Sequence, residues 1–126
     1  MIEDDILNEF LIETNENIEK LDSDFLLLEK ETGSEATLSN IFRIFHSLKG
    51  ACGFVGFTKL EAIAHSCESI LGAVREGALT INGQITNTLL KATDSVKKIL
   101  KTIEVNKNEG SGDYSELLKD LGECLS

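Results

Sequence analysis

The sequence predicts an all-α fold, specifically an up-and-down antiparallel four-helix bundle with a fifth, C-terminal helix. Apolar residues recur at spacings of three and four along most of the chain, which is the period of an α-helix and not of a strand. The 126 residues include no proline, so no residue forces a break inside a helix. Short polar or glycine-containing segments separate the apolar stripes, and short connections make consecutive helices antiparallel neighbours.

The length predicts a single domain over residues 1–126. We expect its helices at about residues 3–31, 35–52, 58–76, 82–106 and 113–125. The first helix carries the stripe Leu7, Leu11, Thr14, Ile18, Leu21, Phe25 and Leu28. Gly33 is suited to end it, because glycine adopts the left-handed conformation at low cost. Ser34 or Thr37 can then cap the next helix.

The second and third helices follow the same rhythm. The second carries Leu38, Ile41, Phe45, Leu48 and Cys52, and Gly53 and Gly56 end or loosen it. Thr58 and Glu61 have the spacing of a capping box at the start of the third helix. That helix carries Leu60, Ile63, Cys67, Ile70 and Val74, with Gly77 as its stop.

The last two helices flank one polar linker, residues 106–112. Asn82 can cap the fourth helix, whose stripe is Ile85, Leu89, Ala92, Val96, Ile99 and Ile103. Asp113 and Glu116 repeat the capping-box spacing before the fifth helix, which carries Tyr114, Leu117, Leu118, Leu121 and Leu125. We expect most of the aromatic core to come from Phe10, Phe25, Phe42, Phe45, Phe54 and Phe57.

Composition excludes several classes of function. The net charge of −10 disfavours binding to nucleic acid or to an anionic membrane, since both need a basic surface. The first residues lack the pattern of a secretory signal, and no apolar run is long enough to span a membrane. The three cysteines have no Cys-x-x-Cys spacing, so we expect reduced, mostly buried thiols in a cytoplasmic protein.

His46 is the residue with the strongest indication of chemistry. It follows Phe45 by one residue, about 100° around the helix, so it lies at the edge of the buried stripe or outside it. Gly50 and Gly53 each cost roughly 1 kcal/mol relative to alanine inside a helix, which calls for a compensating reason. A side chain at position 50 would lean over the imidazole, and glycine leaves it open. Lys49 can place an ammonium near the ring.

Each of these features also has a simpler interpretation. A histidine on a helix surface commonly has no task, a lysine one turn away is commonly just solvated, and the two glycines could serve close helix packing alone. Ser39 and Arg43 share the same polar face, and Arg43 could contact a partner or only solvate that face. A neutral imidazole is nonetheless a competent nucleophile near neutral pH.

The segment around His46 resembles the signature of a known family. The matching residues are His46-Ser47-Leu48-Lys49-Gly50 and Gly53-Phe54-Val55-Gly56-Phe57. They resemble histidine-phosphotransfer domains and, more narrowly, the N-terminal phosphoacceptor domain of chemotaxis-type histidine kinases (CheA). The resemblance covers nearly the whole chain. It includes the acidic first helix, the fifth helix after a polar linker, His65-x-x-Glu68 and Arg75-Glu76-Gly77.

This resemblance implies a role for each matching residue. His46 would accept a phosphoryl group on a ring nitrogen and pass it to an aspartate of a response regulator. Lys49 would assist at the phosphoryl group, and Gly50 would keep access open. Glu68 would hydrogen-bond the other ring nitrogen, and His65 would extend that network.

The resemblance also implies the partners. They would be a kinase catalytic domain, in the same or a partner chain, and the receiver domain of a response regulator. ATP and Mg²⁺ would bind to those partners, so no cofactor or metal is expected in this domain. The chain itself would be a carrier and not an enzyme, monomeric in isolation, and its parent protein a histidine kinase.

Three alternatives remain at this stage. A di-metal bundle would need Glu-x-x-His on two helices, whereas the pair here is His65-x-x-Glu68 in reversed order and the inner stripes are apolar. A helical interaction module without phosphotransfer would use the open glycine face as a contact surface, and it would tolerate replacement of His46. A phosphotransfer domain of a hybrid relay is the third, although the segment 53–57 and the fifth helix favour the chemotaxis type.

Overall fold

The computed structural model describes residues 3–31 and 34–126, and this part of the chain contains helices and no strand. The five helices are Asp4–Lys30 (α1), Glu35–Val55 (α2), Thr58–Arg75 (α3), Gly83–Asn106 (α4) and Ser115–Cys124 (α5). The predicted all-α class is therefore confirmed. None of the helices in the described ranges has an apolar stretch long enough to cross a membrane.

The first four helices form the predicted bundle. α1 packs against α2 and α4, and α3 packs against the same two helices, so that α2 and α4 lie on opposite corners. α5 packs against α3 and α4. The fifth helix therefore covers the side of the bundle away from α1 and α2, and it leaves the outer face of α2 uncovered.

Burial follows the predicted stripes closely. All the stripe residues named for the first, second and fourth helices are buried. At the helix ends the pattern weakens, since Val74 is half-buried and Leu125 is 45% exposed.

The three cysteines are free and buried, as predicted. Burial, together with nearby Glu109 and Glu61, raises the pKa of the Cys52 thiol to about 12, which makes it unreactive near neutral pH.

Phe54 is the clear exception among the aromatic residues. Phe10, Phe25, Phe45 and Phe57 are buried and Phe42 is half-buried, but Phe54 is 80% exposed. The prediction that Phe54 belongs to the core was wrong. Cys52 is fully buried, and a residue two positions later lies about 200° further around the helix. Phe54 must therefore face outward as long as α2 remains helical.

Two of the predicted helix caps are present. The Ser34 hydroxyl accepts a hydrogen bond from the Thr37 amide at 3.4 Å, and the Asn82 side chain accepts one from the Ile85 amide at 2.9 Å. Gly77, just after α3, has a positive φ of +81°, as expected of a helix stop. The predicted stop at Gly33 lies outside the described residues.

α2 is longer than predicted, because Gly53 does not end it. The helix continues through Gly53 to Val55 and ends at Gly56, whose φ of +85° is left-handed. The amides of Gly56 and Phe57 both donate to the Cys52 carbonyl. These bonds make a turn so tight that α3 begins at Thr58.

The capping box predicted for the third helix is not formed. Thr58 is already helical, and Phe57, at the N-cap position, makes no side-chain capping bond. The carboxylate of Glu109, from the α4–α5 connection, instead accepts a hydrogen bond from the Leu60 amide at 2.7 Å. A residue distant in sequence thus satisfies one of the free amides at this helix start.

The α4–α5 connection is attached to α3 by a second residue. The Lys59 ammonium donates to the carbonyls of Gly110 and Gly112, each at 2.8 Å.

The capping box predicted for the fifth helix is also absent. Asp113 accepts from the amide and the hydroxyl of Ser115 and makes a local turn before α5.

Candidate functional site

His46 lies on the uncovered outer face of α2. Its side chain is 63% exposed, although the preceding residue, Phe45, is fully buried. A Cβ atom built on Gly50, one turn further along, would meet nothing within 4 Å. The predicted open approach to the imidazole is therefore present in the structure.

Glu68 on α3 reaches the imidazole from the neighbouring helix. One oxygen of its carboxylate, Oε2, lies 2.5 Å from Nδ1 of His46. The tight turn at Gly56 and Phe57 holds α2 and α3 side by side, so this contact bridges two rigid helices. The structure thus brings together the histidine and the carboxylate that the family resemblance paired.

Lys49 binds the same carboxylate from the other side. Its Nζ donates to Oε1 of Glu68 at 2.6 Å, and the two side chains are 30% and 13% exposed. Lys49 therefore contacts the carboxylate that binds the imidazole. Along α2, Lys49 lies about one turn after His46. Each oxygen of Glu68 accepts one charge-assisted or polar hydrogen bond.

The ionisation of Glu68 determines the tautomer of His46. Burial raises the pKa of Glu68, but the hydrogen bonds from Lys49 and His46 lower it more, so that the pKa lies below its usual value. Glu68 is therefore a carboxylate near neutral pH and can only accept hydrogen bonds. Nδ1 of His46 must then carry the proton, which leaves the lone pair on Nε2. Nε2 makes no hydrogen bond to any residue in the ranges 3–31 and 34–126.

Phe42 and Arg75 support the ring from the N-terminal side, and the sequence analysis assigned neither of them to the site. The Phe42 ring lies parallel to the imidazole, with 6.1 Å between ring centroids and 9° between planes. The Arg75 guanidinium lies 4.6 Å from the Phe42 centroid. The spacing of four residues between Phe42 and His46 was the available signal, since such residues are neighbours on a helix.

His65 does not extend the network as predicted. Its side chain is exposed and makes no hydrogen bond within the described part of the chain. Arg43 is also exposed, and it donates to Asn40 at 2.8 Å and not to His46. The site therefore consists of His46, Glu68 and Lys49, with Gly50 providing access.

The arrangement is that of an oriented nucleophile. Catalytic histidines are paired with a carboxylate in the same way. The carboxylate fixes the tautomer of the imidazole and stabilises positive charge on it. Among the described residues, no group of three His, Cys, Asp or Glu side chains is placed to hold a metal ion.

Comparisons with known proteins identify the family of this chain. A family model, the Hpt domain, matches residues 5–104. The sensor histidine kinase CheAY of Helicobacter pylori is 32% identical over 114 residues, which are 90% of this chain and 14% of that protein. The chemotaxis protein CheA of Treponema pallidum is 29% identical over 118 residues, 94% of this chain and 14% of that protein. The chain thus spans about one-seventh of the length of these curated relatives.

A solved structure is similar over almost the entire chain. It is the phosphorylated P1 domain of CheA3 in complex with CheY6 from R. sphaeroides. It is 25% identical, with a TM-score of 0.89, over 98% of this chain and 97% of that one.

Fold and site together define a helical phosphotransfer domain that presents one oriented histidine. The chain belongs to the Hpt domain family, and within it the chain resembles the phosphotransfer domain of CheA.

Proposed function

We propose that this chain carries a phosphoryl group on Nε2 of His46, from an ATP-binding kinase region to an aspartate of a response regulator. The observation that supports this most directly is that the two ring nitrogens of His46 have different surroundings. Nδ1 is held by an ionised carboxylate, while Nε2 carries the lone pair on a side chain that is 63% exposed. The chain is then the substrate of one enzyme and the phosphoryl donor of the next reaction.

The first step is attack by the Nε2 lone pair on the γ-phosphorus of ATP. A bond forms between nitrogen and phosphorus, the bond from phosphorus to the bridging oxygen breaks, and its electron pair leaves on ADP. The imidazole keeps the proton on Nδ1 and becomes positively charged. Glu68 stabilises this charge through the hydrogen bond that already exists, as the aspartate of a catalytic triad does.

The second step reverses the bond changes at nitrogen. An aspartate oxygen of the receiver attacks phosphorus, the nitrogen–phosphorus bond breaks, and its electron pair returns to Nε2. Lys49, one turn from the imidazole, has its ammonium on the Glu68 carboxylate. We infer that the Lys49 ammonium also interacts with the phosphoryl oxygens, because phosphoryl transfer depends mainly on positioning and charge stabilisation.

The names of similar proteins support the same partners. One relative is called a sensor histidine kinase, and one similar structure is a phosphorylated P1 domain bound to CheY6. We propose that the parent of this chain is likewise a chemotaxis-type histidine kinase and that it works in the cytoplasm. ATP and Mg²⁺ are then held by the kinase region and the receiver, and this domain needs no cofactor of its own.

The intact mass of the chain tests the proposal. The chain is mixed with ATP, Mg²⁺ and the catalytic region of its kinase, as wild type, as His46→Gln, and as His65→Gln as the matched control. We expect a gain of one phosphoryl group, labile in acid, in the wild type and in His65→Gln but not in His46→Gln. If a folded wild-type chain gains nothing from an active kinase, the proposal fails and an interaction module without phosphotransfer becomes the better interpretation.

A further inference from the structure

The hydrogen bond to Glu68 fixes the orientation of the His46 ring only in part. The torsion that turns an imidazole joins an sp³ to an sp² carbon and has only broad preferences, so contacts must define it. Glu68 holds the ring at Nδ1, but turns about the side-chain torsions still let the ring swing around that contact. The direction of the Nε2 lone pair therefore depends on a second contact.

Phe42 supplies this second contact. Its ring lies within 9° of parallel to the imidazole, with 6.1 Å between the ring centroids. Phe42 is one turn before His46 on α2, and helical side chains lean toward the preceding turn. The Phe42 ring therefore limits how far the imidazole can turn toward the N-terminal end of α2.

Two residues of α3 hold the Phe42 ring in its place. A Cβ atom built on Gly72 would lie 3.6 Å from Cε2 of Phe42, so α3 passes directly beside the ring. The Arg75 guanidinium, about one turn later, lies over the ring at 4.6 Å from its centroid. A guanidinium stacks well on an aromatic ring, because it is planar, charged and weakly hydrated. The Phe42 ring is thus confined by the same two helices that carry His46 and Glu68.

Arg75 has no other side-chain partner in the part of the chain that the structure describes. Its side chain is exposed and makes no salt bridge or hydrogen bond in that part. By contrast, Lys49, Lys97 and Lys107 each bind a carboxylate, in a chain with 22 acidic and 12 basic residues. The contact that defines the position of the Arg75 guanidinium is therefore the one with Phe42.

We propose that Phe42 is a second positioning residue for phosphoryl transfer and that Arg75 holds it in place, an inference that rests on the proposed function. With Glu68 at Nδ1 and Phe42 beside the ring, the plane of the imidazole is defined relative to α2 and α3. The Nε2 lone pair then points in one direction. A nucleophile needs this alignment when the phosphorus atom that it attacks is itself held by a protein.

Two phosphoryl donors of different size distinguish positioning from structural support. ATP bound to the kinase region presents its γ-phosphorus at a fixed place, whereas phosphoramidate is a small donor that reaches Nε2 from any open direction. The wild type, Phe42→Leu and Phe42→Tyr are phosphorylated by each donor over a range of concentrations. Tyr114→Leu is the matched control, because Tyr114 is also half-buried and lies just before α5. Urea unfolding gives the folded fraction, and rates are expressed per folded molecule.

We expect Phe42→Leu to lower kcat with the kinase region by about 10- to 100-fold, as small misplacements of reacting groups do. KM and the rate with phosphoramidate should change little, because neither depends on the direction of the lone pair. Phe42→Tyr keeps the ring and should retain most of the wild-type kcat. Tyr114→Leu should behave as wild type with both donors.

Arg75 is tested by removing its charge and its planar group separately. Arg75→Gln and Arg75→Lys should both lower kcat with the kinase region, by less than Phe42→Leu does, because lysine keeps the charge but not the planar guanidinium. Arg43→Gln is the matched control, since Arg43 is an exposed arginine beside Phe42 in sequence and binds Asn40. A wild-type kcat in Arg75→Gln or in Arg75→Lys would contradict the stacking role of Arg75.

Three results would overturn the positioning role of Phe42 alone. The first is a wild-type kcat in Phe42→Leu. The second is an equal loss with both donors, which would mean that Phe42 only supports the structure of the site. The third is a raised KM with unchanged kcat, which would make Phe42 a docking contact. If the folded wild type gains no phosphoryl group from an active kinase region, the proposed function itself fails.

Discussion

At the scale of single residues, Glu68 is the residue on which the site depends. It is the only side chain in the described site that contacts both His46 and Lys49. Its carboxylate lies largely out of water, at 13% exposure, where a hydrogen bond to charge is stronger than in bulk solvent. Removing it would free the imidazole to change tautomer and would leave Lys49 without its partner.

Replacing Glu68 with glutamine tests this role in phosphorylation. We expect Glu68→Gln to lower the rate at which His46 is phosphorylated by roughly 10- to 100-fold, the loss seen when orienting groups behind metal-bound histidines are removed. Glu76→Gln, at an exposed acid just after α3, is the control and should phosphorylate normally. Nitrogen NMR of the imidazole should show a smaller fraction of the Nδ1–H tautomer in Glu68→Gln. An unchanged tautomer and rate would exclude Glu68 as the positioning residue.

The pH dependence of stability provides a second test of Glu68. Its pKa is lowered in the folded state from an ordinary value of 4.5, so the unfolded chain takes up a proton first as the pH falls. The stabilisation from this carboxylate is therefore complete above about pH 4.5 and is lost as the pH falls through the folded-state pKa. Urea unfolding from pH 6 to 3 should show the wild type losing more stability than Glu68→Gln. Parallel losses in the two proteins would contradict the assigned pKa shift.

At the scale of the helix, α2 carries a glycine on its outer face where alanine would be more stable. Gly50 lies in the interior of the helix, where glycine is less favourable than alanine because it loses more backbone entropy. No neighbouring atom would be displaced by a Cβ there. Packing therefore does not require glycine at this position, and we propose access to His46 as the reason for it.

Alanine and leucine at position 50 separate stability from access. We expect Gly50→Ala to raise the free energy of unfolding by about 1 kcal/mol and to slow transfer from His46 to a receiver. Gly50→Leu should slow transfer further, because the longer side chain leans toward the imidazole. Gly122→Ala in α5, where a Cβ would also meet nothing within 4 Å, should gain similar stability with no effect on transfer. Normal transfer by Gly50→Leu would show that access at this position is unimportant.

α3 owes part of the stability of its first turn to a distant loop. Glu109 accepts from the Leu60 amide at 2.7 Å and replaces the cap that Thr58 does not provide. We expect Glu109→Ala to lower the free energy of unfolding by about 1 kcal/mol, the usual cost of losing a capping side chain. Hydrogen exchange at the Leu60 amide should become faster.

The control for Glu109 is Glu104→Ala on α4. Glu104 is exposed and makes no hydrogen bond or salt bridge in the described ranges. Its replacement should change stability by less than about 0.5 kcal/mol. Equal effects of the two substitutions would mean that the Glu109 bond contributes nothing beyond its charge.

At the scale of the whole molecule, the bundle holds α2 and α3 in fixed relation so that His46 and Glu68 stay in contact. Among the described residues, the buried core that does so consists of apolar residues and threonines. The site itself uses none of these core side chains. Stability and transfer should therefore be separable by mutation.

Leu21 and Leu26 on α1 test this separation. Leu21 is fully buried and Leu26 is 62% exposed. Leu21→Ala should cost about 2–5 kcal/mol of unfolding free energy, and Leu26→Ala less than about 0.5 kcal/mol. Where Leu21→Ala remains folded, we expect His46 to be phosphorylated at the wild-type rate per folded molecule. A large loss of rate in the folded variant would show that the core also adjusts the site.

The sequence by itself determined the helices, their inward faces and the identity of the central histidine. Apolar periodicity is a local property, and it located the stripes correctly from Leu7 to Ile103. The position of His46 beside the buried Phe45 placed it on the surface, and the family resemblance paired it with Glu68. Each of these inferences needed only neighbours on one helix or a motif read along the chain.

Only the tertiary structure decided which side chains meet across helices. Glu109 caps α3 from a loop some fifty residues later in the chain, and Arg75 lies over Phe42 from another helix. His65 was expected in the network yet faces solvent, and Phe54 was expected in the core yet is exposed. The exposure of Phe54 depends on how far α2 continues past Gly53, and the capping by Glu109 depends on where a loop brings its side chain. No local spacing contains either quantity.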